Sequence, residues 1–210
     1  MTAAPGDFNW SDPAAWVDLS YSRFDDDVSR TIAGVGAVES VASRFPGNLF
    51  GARLEVGRSY ALPSFNVTPF AALQAAALWQ GGATETSADG SAGILGLTYQ
   101  PRTTTSLPAF LGVQLDTSLT LEDGAVLSPF LRAAWAHEFS PDRSIAGAFV
   151  SIPGAVFTVD GAPAWRDALK LNAGLRLAFN ANVSLFASFE GAFASGGQSY
   201  AGRGGIRLSW

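Results

Sequence analysis

A chain with one histidine and no cysteine has few routes to covalent chemistry. A serine hydrolase needs a base beside its nucleophile, and a zinc site needs nitrogen or sulfur ligands. Either would have to be built on His137, which alternation places on the same face as Leu131 and Trp135. No G-x-S-x-G turn raises a serine beside it. A structural or interfacial place for His137 therefore outweighs a catalytic one. "GVGAVE" at 34–39 opens like a dinucleotide fingerprint but lacks the third glycine and the strand–helix setting, so it reads as loop. "FDDD" at 24–27 has the carboxylates of a calcium loop without its ligand spacing, and reads as a solvated strand exit. No cofactor, metal or catalytic site is predicted, and no enzymatic activity.

The remaining chemistry is ionic. Asp18, Arg53, Glu55, Asp116, Arg132, Glu138, Lys170, Arg176, Glu190, Arg203 and Arg207 all fall on the polar parity of segments that alternate apolar and polar. In 169–179 the apolar row is Leu169, Leu171, Ala173, Leu175, Leu177 and Phe179, against Lys170, Asn172, Gly174, Arg176 and Ala178. Segments 15–24, 49–60, 67–79, 109–119, 127–139 and 183–193 repeat the pattern, as does the ending "AGRGGIRLSW". Period two predicts strands with one apolar and one polar face.

Composition narrows the class. Hydrophobic residues make up 48% and charged residues only 15%, below the roughly 25% usual in soluble domains. No run has the roughly 18 apolar residues of a spanning helix. A net charge of −5 argues against nucleic acid as a partner. Segments of about ten residues have the length of a tilted membrane strand. Short connections at 61–66, 120–125 and 180–183 alternate with long ones at 25–48, 80–108 and 140–168, the rhythm of an outer-membrane barrel with its long loops outside. Tyr60, Trp79, Trp135, Phe139, Phe179, Phe193 and Trp210 sit near strand ends, as in interfacial girdles. The expected fold is all-β, a transmembrane antiparallel β-barrel. A soluble β-barrel or sandwich, which also alternates, is the rival. The inward charges would line a watery lumen or pair across strands to stiffen the wall.

Three motifs carry a family resemblance: "VTPFAALQAA" at 67–76, the pattern PF.R..W.HEF at Pro129–Phe139, and "PGAVFTVDGAP" at Pro153–Pro163. With the aromatic-ended last strand, they resemble the translocator barrel of autotransporters. The likeness covers residues 48–210 well and 15–47 loosely. It implies a non-catalytic barrel in the outer membrane of a Gram-negative bacterium, with lipid, the barrel-assembly machinery and a passenger domain as partners. It further implies that Arg203, Gly205, Leu208 and Trp210 form the assembly signal, and that the last strand pairs with the first. Family barrels have about twelve strands and about eight are present here. "MTAAPGDFNW" shows no signal peptide. The expectation is a barrel domain over 15–210, incomplete on its N-terminal side, after an extension at 1–14. A stand-alone eight-stranded barrel and an outer-membrane enzyme of lipase or protease type are the alternatives.

Overall fold

Alternation at period two builds strands throughout the computed structural model, which describes residues 14–33, 38–87 and 95–210 and contains no helix among them. Eight long strands form an antiparallel meander: β1 (Ala14–Ile32), β2 (Glu39–Gly57), β3 (Asn66–Gln80), β4 (Pro108–Asp116), β5 (Val126–Glu138), β6 (Asp167–Ala178), β7 (Val183–Ala194) and β8 (Gly197–Leu208). Each pairs with its chain neighbour, and the sheet curls without closing. Among the described residues β1 pairs only with β2, and β8 pairs with no long strand but β7. The expected pairing of last strand with first is therefore not formed.

Turn chemistry sets the short end. At 121–125 the Leu121 and Ala125 backbones pair, Asp123 Oδ1 accepts from the Ala125 N–H at 3.0 Å, and Gly124 takes φ of 83°, a conformation that favours glycine. At 180–183 Asn180 Oδ1 accepts from the N–H groups of Asn182 and Val183, both at 2.9 Å. The opposite end holds the long connections.

All three of those connections are more ordered than the sequence suggested. Residues 25–32 and 39–48 are strand rather than loop: β1 and β2 remain in register from Ala14↔Gly57 to Ile32↔Glu39. At about 3.3 Å per residue, 19 residues span about 60 Å, twice a hydrocarbon core. The hairpin therefore runs well past the length a bilayer crossing needs. "FDDD" lies inside β1 rather than at its exit, with Asp27 paired to Arg44 at 2.8 Å across the hairpin. Of "GVGAVE", residues 34–37 lie outside the described residues, as does the 1–13 part of the N-terminal extension; Ala14 already opens β1. The connections at 80–108 and 140–168 contribute a second sheet, in which Ile152–Asp160 pairs with Ser144–Phe149, Ser144–Phe149 with Leu97–Tyr99, and Leu97–Tyr99 with Ala83–Thr84. β8 stops at Leu208, short of the expected Trp210, although the Ser209 backbone still bonds Asn182.

The two faces of the main sheet differ as parity predicted. Leu19, Leu111 and Ile206, on the apolar face, are 67%, 63% and 67% exposed. A soluble sandwich would cover such a row. The buried residues lie mostly on the other face: Phe70, Ala72, Ala134, Ala136, Ala168 and Ala192. Here four phenylalanines each lie across a directly opposite glycine: Phe24 on Gly47, Phe70 on Gly112, Phe130 on Gly174 and Phe186 on Gly205. Each ring occupies the space a second side chain would need.

Gly112→Ala tests this packing. A Cβ there would lie 2.4 Å from the Ala133 carbonyl oxygen and 2.6 Å from the Phe70 ring, whereas at Gly154 nothing lies within 4 Å. Overpacking of this kind costs about 1–3 kcal/mol. Urea unfolding in detergent should show that loss for Gly112→Ala, and no comparable loss for Gly154→Ala.

Candidate functional site: the polar inner face

Register turns parity into neighbours. One rung of the inner face reads Thr68, Gln114, Arg132, Asn172, Glu190 and Ala201 across β3 to β8. The next reads Phe70, Gly112, Ala134, Lys170, Ala192 and Ser199. Arg53 stands between Asp18 and Gln74, and Glu55 between Trp16 and Ala72. All eleven predicted inward charges share this face.

Glu55 is the centre of the charge. Its side chain is 8% exposed and accepts from Arg53 at 2.7 Å and from Arg132 at 2.7 and 2.6 Å. Each guanidinium also lies over a ring: Arg53 over Phe110 at 4.5 Å and Arg132 over Phe70 at 3.5 Å. Gln74 and Gln114 accept second bonds from the two arginines at 3.3 and 3.4 Å. A carboxylate buried against one cation is costly; two cations and two ring faces offset that cost. The triad ties β2 to β5 across the concave side, a reach of 77 residues.

The other charges have separate places. Glu138 caps the chain where β5 leaves the sheet, accepting from the Ser106 hydroxyl and from the N–H groups of Leu107 at 2.7 Å and Ser140 at 2.9 Å. Glu190 pairs with Arg203 and accepts from Asn172 at 3.4 Å. Asp116 accepts from Asn66 at 3.0 Å and Gln114 at 3.2 Å. Arg53, Glu55, Arg132, Glu138, Lys170 and Glu190 line one cavity of about 1010 Å³; Asp116, Arg176 and Arg207 share the face but do not line it.

Several lining residues were not singled out from the sequence. Trp16, Gln74, Gln114 and Phe110 follow the same parity and were findable that way. Trp165 was not, because Ala162–Trp165 belongs to a long connection that folds over the cavity. Its backbone is fixed there by Ala164 N–H to Pro141 O at 2.9 Å and Glu138 N–H to Arg166 O at 2.7 Å.

Beyond the sheet's long-loop end lies a second buried pair that no local motif announced. Glu85, 3% exposed, accepts from Arg30 Nε and Nη2 at 2.8 and 2.6 Å, from Leu97 N–H at 2.8 Å and from Tyr99 Oη at 3.1 Å. Burial pushes this carboxyl up, but the bonds from Arg30, Leu97 and Tyr99 outweigh it and hold the group below its ordinary value. The cluster fastens the 81–107 connection to the projecting β1–β2 hairpin.

His137 stays on the apolar face. Its Nδ1 lies 2.9 Å from Asp167, which also accepts from Trp135 Nε1 at 3.0 Å, and its ring sits between Trp135 and Phe139. Among the described residues no hydroxyl is bonded to it, and no cluster of three metal-ligating side chains occurs. Of the assembly-signal residues, Arg203 and Gly205 face inward and Leu208 outward, while Trp210 is fully exposed beyond the strand.

A sequence profile of the autotransporter beta-domain family matches residues 5–190. No curated protein matches the chain.

Removing the central carboxylate tests the triad. Glu55→Gln leaves two partly buried guanidinium groups facing each other and should cost about 3 kcal/mol in urea unfolding. The Glu85 cluster carries a pH dependence. A depressed carboxyl contributes stability above its unfolded pKa, and loses it as pH falls through the folded value. The protection factor of the Leu97 amide, taken against its intrinsic exchange rate at each pH, should therefore fall as pH falls below the ordinary glutamate value of 4.5, and Glu85→Gln should abolish most of that dependence.

Proposed function

The chain belongs to the autotransporter beta-domain family, and from that premise we propose that it anchors in the outer membrane and holds a polar conduit for a passenger segment. The observation that carries this reading is the division of one curled sheet into two faces. The outer face presents uncovered apolar side chains. The inner face gathers the charges around a cavity of about 1010 Å³. Lipid is the medium that fits the first and water the medium that fits the second. The work asked of such a wall is physical: it spans, encloses and lets a chain pass. No covalent step is assigned to it. His137 bonds Asp167 on the lipid-side parity, and no nucleophile is bonded to it among the described residues.

The eight long strands correspond to part of the twelve expected of the family, and the sheet stands open at β1 and β8. In hydrocarbon those edges have to be paired. β1 and β8 run in opposite directions, as an even count in a meander requires, so either edge accepts an antiparallel neighbour. The last strand is assigned the role of signal to the assembly machinery, through Arg203, Gly205, Leu208 and Trp210. Two features support this. Gly205 is the place where the Phe186 ring crosses to β8, and Trp210 is free of the sheet.

Two experiments test the reading. Leu175 lies on the outer face of β6 and Ala201 on the inner face of β8. Leu175→Arg should cost about 2–4 kcal/mol near the bilayer midplane and lower the yield of heat-modifiable barrel. Ala201→Arg, opposite Glu190, should assemble normally. Equal band shifts for the two variants would remove the facing assignment. For the signal, Trp210→Phe should restore membrane insertion in cells and Trp210→Ser should lose it. Normal insertion of the serine variant would reduce Trp210 to an ordinary interfacial aromatic.

A further inference from the structure

The thirteen Lys and Arg residues of the chain include a single lysine, Lys170. It is the fourth residue of β6, on the inner face toward the long-loop end, exposed to the cavity on the rung of Phe70 and Ala134. Its neighbours are spoken for. Arg53 and Arg132 are held by Glu55, and Glu190 by Arg203. Among the described residues the Lys170 ammonium has no hydrogen-bond or ion-pair partner. Two residues along β6, Asn172 donates to Glu190 while its Oδ1 is buried without a partner. A free cation and a free acceptor thus lie side by side in a cavity walled by Trp16, Phe110 and Trp165.

We propose that Lys170 and Asn172 form a recognition point for an acidic polypeptide segment seated in the cavity. A carboxylate of that segment pairs with the Lys170 ammonium, and an N–H of the same segment satisfies Asn172 Oδ1. The chemistry selects a polypeptide over a simple anion. A free carboxylate answers the lysine and leaves the buried carbonyl unpaired, which costs the desolvation of that group. The aromatic walls suit side chains on either side of the contact. Lysine differs from the surrounding arginines in a useful way: its ammonium is a compact charge on a flexible stem with no planar fork to match. It can follow a moving carboxylate instead of locking one geometry. The proposal rests on the reading of the inner face as a conduit.

A single lysine makes the test selective. Reductive methylation with ¹³C keeps the charge and labels only Lys170 and the α-amine of the full chain, which serves as internal control. In detergent, a glutamate-rich peptide should shift the Lys170 methyl resonance saturably and leave the α-amine unmoved. The same peptide with glutamine throughout should give no shift. In fluorescence anisotropy with the labelled acidic peptide, Lys170→Gln should weaken binding at least about tenfold, with Lys170→Arg in between. Equal shifts by both peptides would overturn recognition by charge. An equal shift by sodium acetate at matched carboxylate concentration would overturn the polypeptide assignment. No shift in a chain that gives the heat-modifiable band would overturn the proposal while leaving the membrane reading intact, and a chain without that band would overturn both.

Discussion

Hydrocarbon offers no hydrogen bonds, and the rest of this structure follows from meeting that constraint with strands. Every backbone N–H and C=O that lies in lipid must be paired within the protein. A meander answers this locally, since each strand is paired by its chain neighbours in unbroken register. The pleat then delivers side chains alternately to two media. That is why one parity carries leucine and valine and the other carries arginine, glutamate, glutamine and glycine. It is also why the edges of β1 and β8, which carry no further long strand among the described residues, are the places where lipid would demand a partner.

A two-faced sheet needs a way to be rigid without a conventional core. The inner face supplies two. Phenylalanine rings laid on opposite glycines fill the wall with apolar contact while the backbone stays curved. The Arg53–Glu55–Arg132 triad then joins strands distant in sequence across the concave side. The ring of Phe70 serves both devices, since it lies on Gly112 and also carries the Arg132 guanidinium on its face, while Phe110 carries that of Arg53. Outside the span a third device takes over. Glu85 gathers four donors and fixes a connecting segment to the projecting hairpin.

How much was legible depended on whether the information was local. The eight strands and the inward set from Asp18 to Arg207 follow from parity alone, because a pleat has period two. Residues 25–32 and 39–48 failed to read as strand for a physical reason. Asp25, Asp26 and Asp27 are consecutive, so both faces carry acid and the alternation that marks a lipid-facing strand vanishes. The segments Leu97–Tyr99 and Ala83–Thr84 are too short to show any period. Arg30 and Glu85 lie 55 residues apart, and Phe70 meets Gly112 only once the register is known. By parity Lys170 is one inward charge among many. Its solitude appeared only after the neighbouring charges had found partners.

The central claim is that odd positions of β6 meet lipid and even positions meet an aqueous interior. Nitroxide labels placed singly along residues 169–178 of the chain in bilayers measure this directly, through collision with oxygen, which partitions into lipid, and with a polar nickel chelate. The account predicts that oxygen contact is high at 169, 171, 173, 175 and 177 and low between them, with nickel contact in the opposite phase. Uniform nickel access at every position, without a period of two, would contradict it.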